Sequence, residues 1–337
     1  MKNLSLSLFL MLLVSAISAQ IYTVDNSNDG ADFTDLQVAI NTAADGDTIY
    51  VASSNVSYGN ISINKKLTIF GSGYLTNAFS QPTIIGTVTF SNNCKKSHLS
   101  GFEVVNINAT ATSSSIDSLT ISDNLISGQI NLYYRIGHII EGNLFSRQNG
   151  VCIQASQGSS NTQAKYLKIR NNVFYGYIYR LWDVNSEVIS NTFIRSGLLF
   201  NAYRSSTAGT LVNNIYFGIT DGEVAGGCTG CISEFAYHYY HDGTDFAGEN
   251  PMFVNPTTLT TDNITAFDIN HDLSLQAGST AIGGGQFGFD QGAYGGGNPF
   301  VRGGFPPVPR VVSITSPVSS IESGGTLEIT INAVSQQ

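Results

Sequence analysis

A chain of 337 residues with 42% hydrophobic and only 12% charged residues carries enough apolar surface for one long core. Its formal net charge is −9 and no basic stripe is present to neutralise phosphates, which excludes nucleic acid as a partner. Beyond the N-terminal leader no apolar run approaches the ~18 residues that span a bilayer, so an integral membrane protein with helical spans is not expected.

Residues 1–19 join a basic tip (Lys2), an apolar run from Leu4 to Val14 and a small-residue exit ending Ser18-Ala19. This is the pattern of a secretory signal peptide, with cleavage expected after Ala19. Loss of Lys2 then takes the charge from −9 to −10 (−9 minus 1). No cysteine lies near the cut, so a lipoprotein is not expected, and the mature chain reads as secreted or cell-surface.

Residues 20–50 read as an N-terminal cap. Phe33, Leu36, Ile40 and Ala43 recur at helical spacing, with Thr34 or Asp32 as N-cap, and Gly46-Asp47 turns into the strand Thr48-Ile49-Tyr50-Val51. A stack of coils needs such a helix at its start, because an open end would template edge-to-edge association.

Residues 51–299 read as that stack. Five similar stretches lie between Ser118 and Gly218, each centred on an asparagine: Asn124, Asn143, Asn172, Asn191 and Asn214. Three residues before each stands an aliphatic residue (Ile121, Ile140, Ile169, Val188, Leu211). Two residues after stands a large apolar or aromatic one (Ile126, Phe145, Phe174, Phe193, Tyr216). A unit this short cannot bury its own apolar residues and must stack on copies of itself. Asparagine suits the turn because it tolerates left-handed backbone and its amide both donates and accepts, so stacked amides can bond one another at about 4.8 Å spacing. Thr83–Phe90 and Leu99–Val105 read as coils without the asparagine. The fold class is therefore all-β, a right-handed parallel β-helix on the order of 40 Å long at that spacing.

The ladder stops after Gly218. Residues 221–250 form a polar, glycine-rich insertion of the kind that carries function on solenoids. It holds Cys228, Cys231, His238 and His241, a spacing open to zinc. In an oxidising compartment a local disulfide between Cys228 and Cys231 is the favoured reading. Cys94 and Cys152 are either a second bridge or two buried thiols. Residues 300–337 begin as a Gly/Pro linker and end in two alternating strands, 311–314 and 326–333. Two strands make no independent domain, so they either pack on the rod or pair with another chain through residues 311–337.

The order Phe33-x-x-Leu36-x-x-Ala39-Ile40-x-x-Ala43-x-x-Gly46-Asp47-Thr48-Ile49-x-Val51, followed by Asn60-Ile61-x-Ile63-x-Lys65-Lys66-Leu67-Thr68-Ile69-x-Gly71, resembles the N-terminus of pectin-lyase-like right-handed β-helix proteins, in particular exported members from Bacteroidota. Asn250-Pro251-Met252-Phe253-Val254 and then Asp272-Leu273-Ser274-Leu275-Gln276-Ala277-Gly278-Ser279-Thr280-Ala281-Ile282-Gly283 resemble their closing coil, with Thr280 and Gly283 in place of a proline and an aspartate. Asp47-Thr48-Ile49 and Asp117-Ser118-Leu119 resemble a short O-glycosylation signal of the same group. The resemblance implies fold and carries no catalytic residues with it.

Polysaccharide lyases of this kind use a basic residue beside calcium held by carboxylates. Lys168 and Arg170 share one face of a strand, and Arg180 follows in the next coil, but no carboxylate cluster is evident opposite them. A hydrolase would need paired aspartates, and the sequence contains neither Asp-Asp nor Gly-His-Gly. Tyr175, Tyr177 and Tyr179 alternate ahead of Trp182, with Tyr133 in neighbouring register, and are expected on one strand face suited to stacking on sugars. The expected function is thus non-catalytic binding of a polysaccharide or a cell-envelope protein, with no cofactor. The alternatives are a calcium-dependent polysaccharide lyase and a structural or surface-binding rod.

Overall fold

The computed structural model describes residues 19–27, 30–76, 81–110, 116–157, 162–181, 183–194, 210–217, 228–229, 232–233, 246–247, 250–256, 267–307, 310–315 and 325–334. They form a parallel β-solenoid. One sheet stacks ten strands, from Ile21–Val24 through Thr120–Ser122, Ile139–Glu141, Lys168–Arg170, Glu187–Ile189 and Thr210–Val212 to Cys228–Thr229. A second sheet of thirteen strands forks at Glu103–Asn108. Glu103 and Val104 pair with Leu125–Ile126, which begins the row that succeeds each ladder asparagine. Ile107 and Asn108 pair with Ile130–Asn131, which leads to Val151–Gln154 and Tyr177–Tyr179. The rod therefore has three faces: one before the asparagines, a second directly after them, and a third beyond the fork.

The strands are two to seven residues long because each coil must turn three corners. Inward positions stack in register. Ile49, Ile69, Leu99, Ile121, Ile140, Ile169, Val188 and Leu211 form one buried column. Phe145, Phe174, Phe193 and Tyr216 form another, with centroid separations of 4.5, 4.7 and 5.3 Å and rings within 15° of parallel. Each fully buried side chain of this size contributes about 1.5–3 kcal/mol relative to exposure.

The ladder asparagines are fully buried and bonded to one another: Asn124 Nδ2 donates to Asn143 Oδ1 (3.1 Å), Asn143 to Asn172 (3.0 Å), Asn172 to Asn191 (3.0 Å) and Asn191 to Asn214 (3.1 Å). Their backbone role differs from expectation. The left-handed residue in each turn is the one before the asparagine: Asp123 (φ 56°), Gly142 (65°), Asn171 (54°), Ser190 (53°) and Asn213 (55°). The ladder position is selected for its amide, since each Oδ1 also accepts the backbone N–H of the asparagine below, as Asn172 Oδ1 does from Asn143 N (2.9 Å).

The cap is the helix Leu36–Thr42, burying Leu36, Ala39 and Ile40 on the first coils. Its N-cap is Asp35, which accepts from Val38 N (2.9 Å), and neither Thr34 nor Asp32. The Asp32 carboxylate is instead engaged by the backbone and hydroxyl of Thr23 (2.8 and 2.9 Å). Lys65 Nζ closes the other end by donating to the carbonyls of Ile40, Asn41 and Ala43 (3.2, 2.6 and 2.6 Å).

The stretch that resembles a closing coil does not continue the stack. Phe253–Asn255 and Asp272–Leu275 pair antiparallel as a separate ribbon. From there residues 276–307 run back along the outside of the rod as a strap. Gln286 N donates to Asn213 Oδ1 (2.6 Å), Ala293 N to Thr192 Oγ1 (2.9 Å), and Tyr74 N to Gly303 O (2.9 Å), so the strap passes from late coils to early ones. It covers the outward side of the second face and creates a second core of Leu125, Leu144, Val173, Tyr175, Ile215, Ala293 and Phe300. Residues 300–306, expected as linker, belong to this strap: Phe300, Gly303, Gly304 and Pro306 are buried. Arg310–Thr315 and Thr330–Val334 pair with each other as a two-stranded antiparallel ribbon, leaving Ile329 and Ile331 exposed.

Candidate functional site

The third face is built on Asn106-Ile107-Asn108, Gln129-Ile130-Asn131, Val151 with Ile153-Gln154 around a bulge at the buried Cys152, and Tyr177-Ile178-Tyr179. The four isoleucines stack inward and are fully buried, which turns the residue after each of them toward solvent. Asn108, Asn131, Gln154 and Tyr179 consequently stand in one outward row at about 4.8 Å steps. Asn131 Nδ2 donates to Asn108 Oδ1 (2.8 Å), and Asn131 Oδ1 accepts from Gln129 Nε2 (2.7 Å) and from the Tyr133 hydroxyl (3.4 Å). These bonds fix the orientation of the amides.

The row ends in aromatics. The rings of Tyr177 and Tyr179 meet edge to face at 6.3 Å. The Arg180 guanidinium lies 4.7 Å from the Tyr179 ring centroid, a cation–π contact presented by a left-handed backbone at Arg180 (φ 59°). Tyr133 is near enough to feel that charge: burial raises its phenol pKa and the Arg180 cation opposes the rise. All four side chains are half-buried, with faces or edges open. A row of amides ending in tyrosines offers hydrogen bonds to hydroxyls and a stacking surface for sugar rings along one line.

Tyr175 does not share this face. The chain turns a corner at Gly176, where a Cβ would run into the Gly150 carbonyl oxygen, so Tyr175 lies on the second face and Tyr177 on the third. Tyr175 is 2% exposed beneath the strap, its hydroxyl 2.5 Å from His271 Nδ1 and its ring edge-on to Phe267. Trp182 lies outside the described residues.

The basic candidates do not converge. Lys168 and Arg170 point outward from the first face, as their alternation predicts, with Ile169 buried between them. Arg170 Nε donates to Glu141 Oε2 at 2.7 Å, a strand partner that nothing in the sequence announces. Arg180 belongs to the third face. Among the described residues no three His, Cys, Asp or Glu side chains come together as a metal site. Cys231, His238 and His241 lie outside the described residues; Cys228 is placed only through its backbone, in register with Leu211. Cys94 and Cys152 are separate buried thiols. Burial pushes Cys94 up to about 12 and raises Cys152 as well, which disfavours the thiolate at both.

Both short glycosylation-like signals have structural duties. Asp47 is buried and accepts from the backbones of Ala44 and Gln20 (both 2.7 Å). Asp117 accepts from Ile136 N (3.1 Å) and pairs with Arg135 (3.8 Å). The amide row of the third face was not expected from the sequence, although a recurring isoleucine with an amide or tyrosine after it was its signal. No family model matches this chain, and no curated protein matches it.

Proposed function

We propose that this chain is an exported protein of the pectin-lyase-like kind that binds a glycan along its third face without cleaving it. The observation that carries the reading is the outward row Asn108, Asn131, Gln154 and Tyr179, with Tyr177, Tyr133 and Arg180 fixed beside it. Arrays of amides with aromatic ends suit an extended neutral polysaccharide lying along the rod. The scattered placement of Lys168, Arg170 and Arg180, and the neutralisation of Arg170 by Glu141, argue against a shared proton abstractor. Export is supported by the leader-like N-terminus and by the exposure of Ala19 and Gln20 at the expected cut.

The test is a polysaccharide binding screen on the secreted protein, read in parallel for unsaturated products by ultraviolet absorbance. Binding without product, weakened at least tenfold in a Tyr177→Ala/Tyr179→Ala variant that keeps its melting temperature, is expected. Product formation would make the protein a lyase. No glycan binding at all would move attention to an envelope protein as partner, with the exposed Ile329 and Ile331 of the C-terminal ribbon as its contact, testable by deleting residues 311–337.

A further inference from the structure

A groove of about 620 Å³ lies between the outward side of the first face and the strap, away from the tyrosine row. Its floor is aliphatic, formed by Ile189 and Val212, which point outward where a solvated strand would carry polar residues. One wall carries the Glu141–Arg170 ion pair and Glu187. The other carries Phe287 and Phe289 from the strap. The volume is within the usual range for small-ligand sites, and the lining has the usual mixture of apolar surface and a few oriented polar groups.

Phe287 supplies the second observation. It is 86% exposed and sits in the left-handed region (φ 63°, ψ 17°). A bulky residue avoids that conformation, and an exposed phenylalanine gains nothing from burial, so folding alone explains neither feature. Glycine flanks it at position 288, also left-handed (φ 76°), so the turn itself would accept glycine at 287. The aromatic ring is therefore retained at a cost to the fold, at the mouth of the groove.

We propose that this groove is a second binding site, for a short neutral saccharide. Phe287 and Phe289 stack on the apolar face of a sugar ring over Ile189 and Val212. The Glu141 carboxylate and Arg170 guanidinium, locked together, present acceptor and donor side by side to vicinal hydroxyls, and Glu187 adds a further acceptor. Charge selects the class. Glu141 and Glu187 are balanced by Arg170 and by Lys168, whose strand neighbours Glu187, so the described residues leave no surplus cation in the groove to hold a uronate polymer. The site is independent of the third face in residues, shape and ligand length.

Calorimetric titration of the full chain with cellotriose, xylotriose, mannotriose and trigalacturonate tests this. At least one neutral trisaccharide binds and trigalacturonate does not. Phe287→Gly weakens that binding at least tenfold while melting no lower than the wild type, a combination that a structural role for Phe287 would not produce. Tyr177→Ala/Tyr179→Ala leaves it intact. Failure of all three neutral trisaccharides, unchanged affinity in Phe287→Gly, or preferential binding of trigalacturonate overturns the proposal. If trisaccharide binding is lost only in the tyrosine variant, the groove is refuted and the third-face reading stands.

Discussion

Asn171 donates its side-chain amide to the Gly295 carbonyl at 2.7 Å and to the Ala293 carbonyl at 3.0 Å, joining residues 124 and 122 positions apart in the chain. The bond exists because the left-handed turn residue before each ladder asparagine points its side chain outward while the asparagine points inward. One dipeptide, Asn171-Asn172, thus fastens the strap and the coil stack together. Asn171→Ala loses both strap bonds and replaces a residue that tolerates the left-handed turn with one that does not, at an expected cost of about 2–4 kcal/mol. Asn171→Gly keeps the turn and should cost less. Urea denaturation of the two variants, with limited proteolysis of residues 286–306, checks the order.

The ladder itself should be far less tolerant. Asn172 Nδ2 donates to Ile140 O (2.9 Å), Arg170 O (2.9 Å) and Asn191 Oδ1 (3.0 Å), while its Oδ1 accepts from Asn143 N (2.9 Å) and Nδ2 (3.0 Å). Asn172→Ala strands all of these partners in a dry interior, each worth about 1–3 kcal/mol when unsatisfied and partly relieved by relaxation. A loss on the order of 4 kcal/mol or outright failure to fold is expected, against a smaller loss for Asn124→Ala at the ladder's end. Circular dichroism melts of purified variants decide it.

Tyr175 and Tyr179 should behave oppositely. Tyr175→Phe removes the hydroxyl that meets His271 under the strap, lowering stability by about 1–2 kcal/mol with glycan binding unchanged. Tyr179→Ala removes a half-exposed ring on the third face, with little effect on the melting temperature and a measurable loss of binding. Reversal of these two outcomes would return the binding face to Tyr175.

One buried and one half-buried group give stability a defined pH dependence. His138 is fully buried and accepts from Leu119 N at Nδ1 (3.1 Å), and burial with the nearby Arg135 cation lowers its pKa to about 3. The unfolded chain protonates this imidazole first, so its contribution is present above about pH 6.5 and is lost as pH falls through about 3. Asp123 goes the other way: burial raises it to about 6 despite bonds from Ser122 and Ser100. Its neutral form is favoured in the fold, so that contribution is present below about pH 3.8 and is lost as pH rises through 6. The stability difference between wild type and Asp123→Asn should therefore shift in favour of the wild type as pH falls from 6 to 4. A flat difference curve from denaturation midpoints would contradict this assignment.

The inward columns were legible because they repeat. Ile121, Ile140 and Ile169 recur three residues before each asparagine, and the aromatic column two residues after, because a stacked coil repeats its inward positions whatever its corners do. The strap left its own trace in Leu125, Leu144, Val173 and Ile215, apolar residues one position past the asparagines on the side that would otherwise face water. That pattern says the second face is covered, but it does not name the cover. Tyr175 was misplaced for a related reason: alternation holds only along an unbroken strand, and the Gly176 corner resets it.

What the amino-acid order determined by itself was the cap helix, legible in its own helical spacing, and the periodic part: the ladder asparagines, the buried columns and the parallel β-helix, each of which arises from neighbours one coil apart repeating the same local choice. What only the tertiary structure decided was everything that depends on single long-range contacts. These are the strap held by Asn171 and Asn213, the Glu141–Arg170 pair and the removal of Tyr175 from the surface. Such contacts join residues once, without repetition, so no period in the sequence announces them.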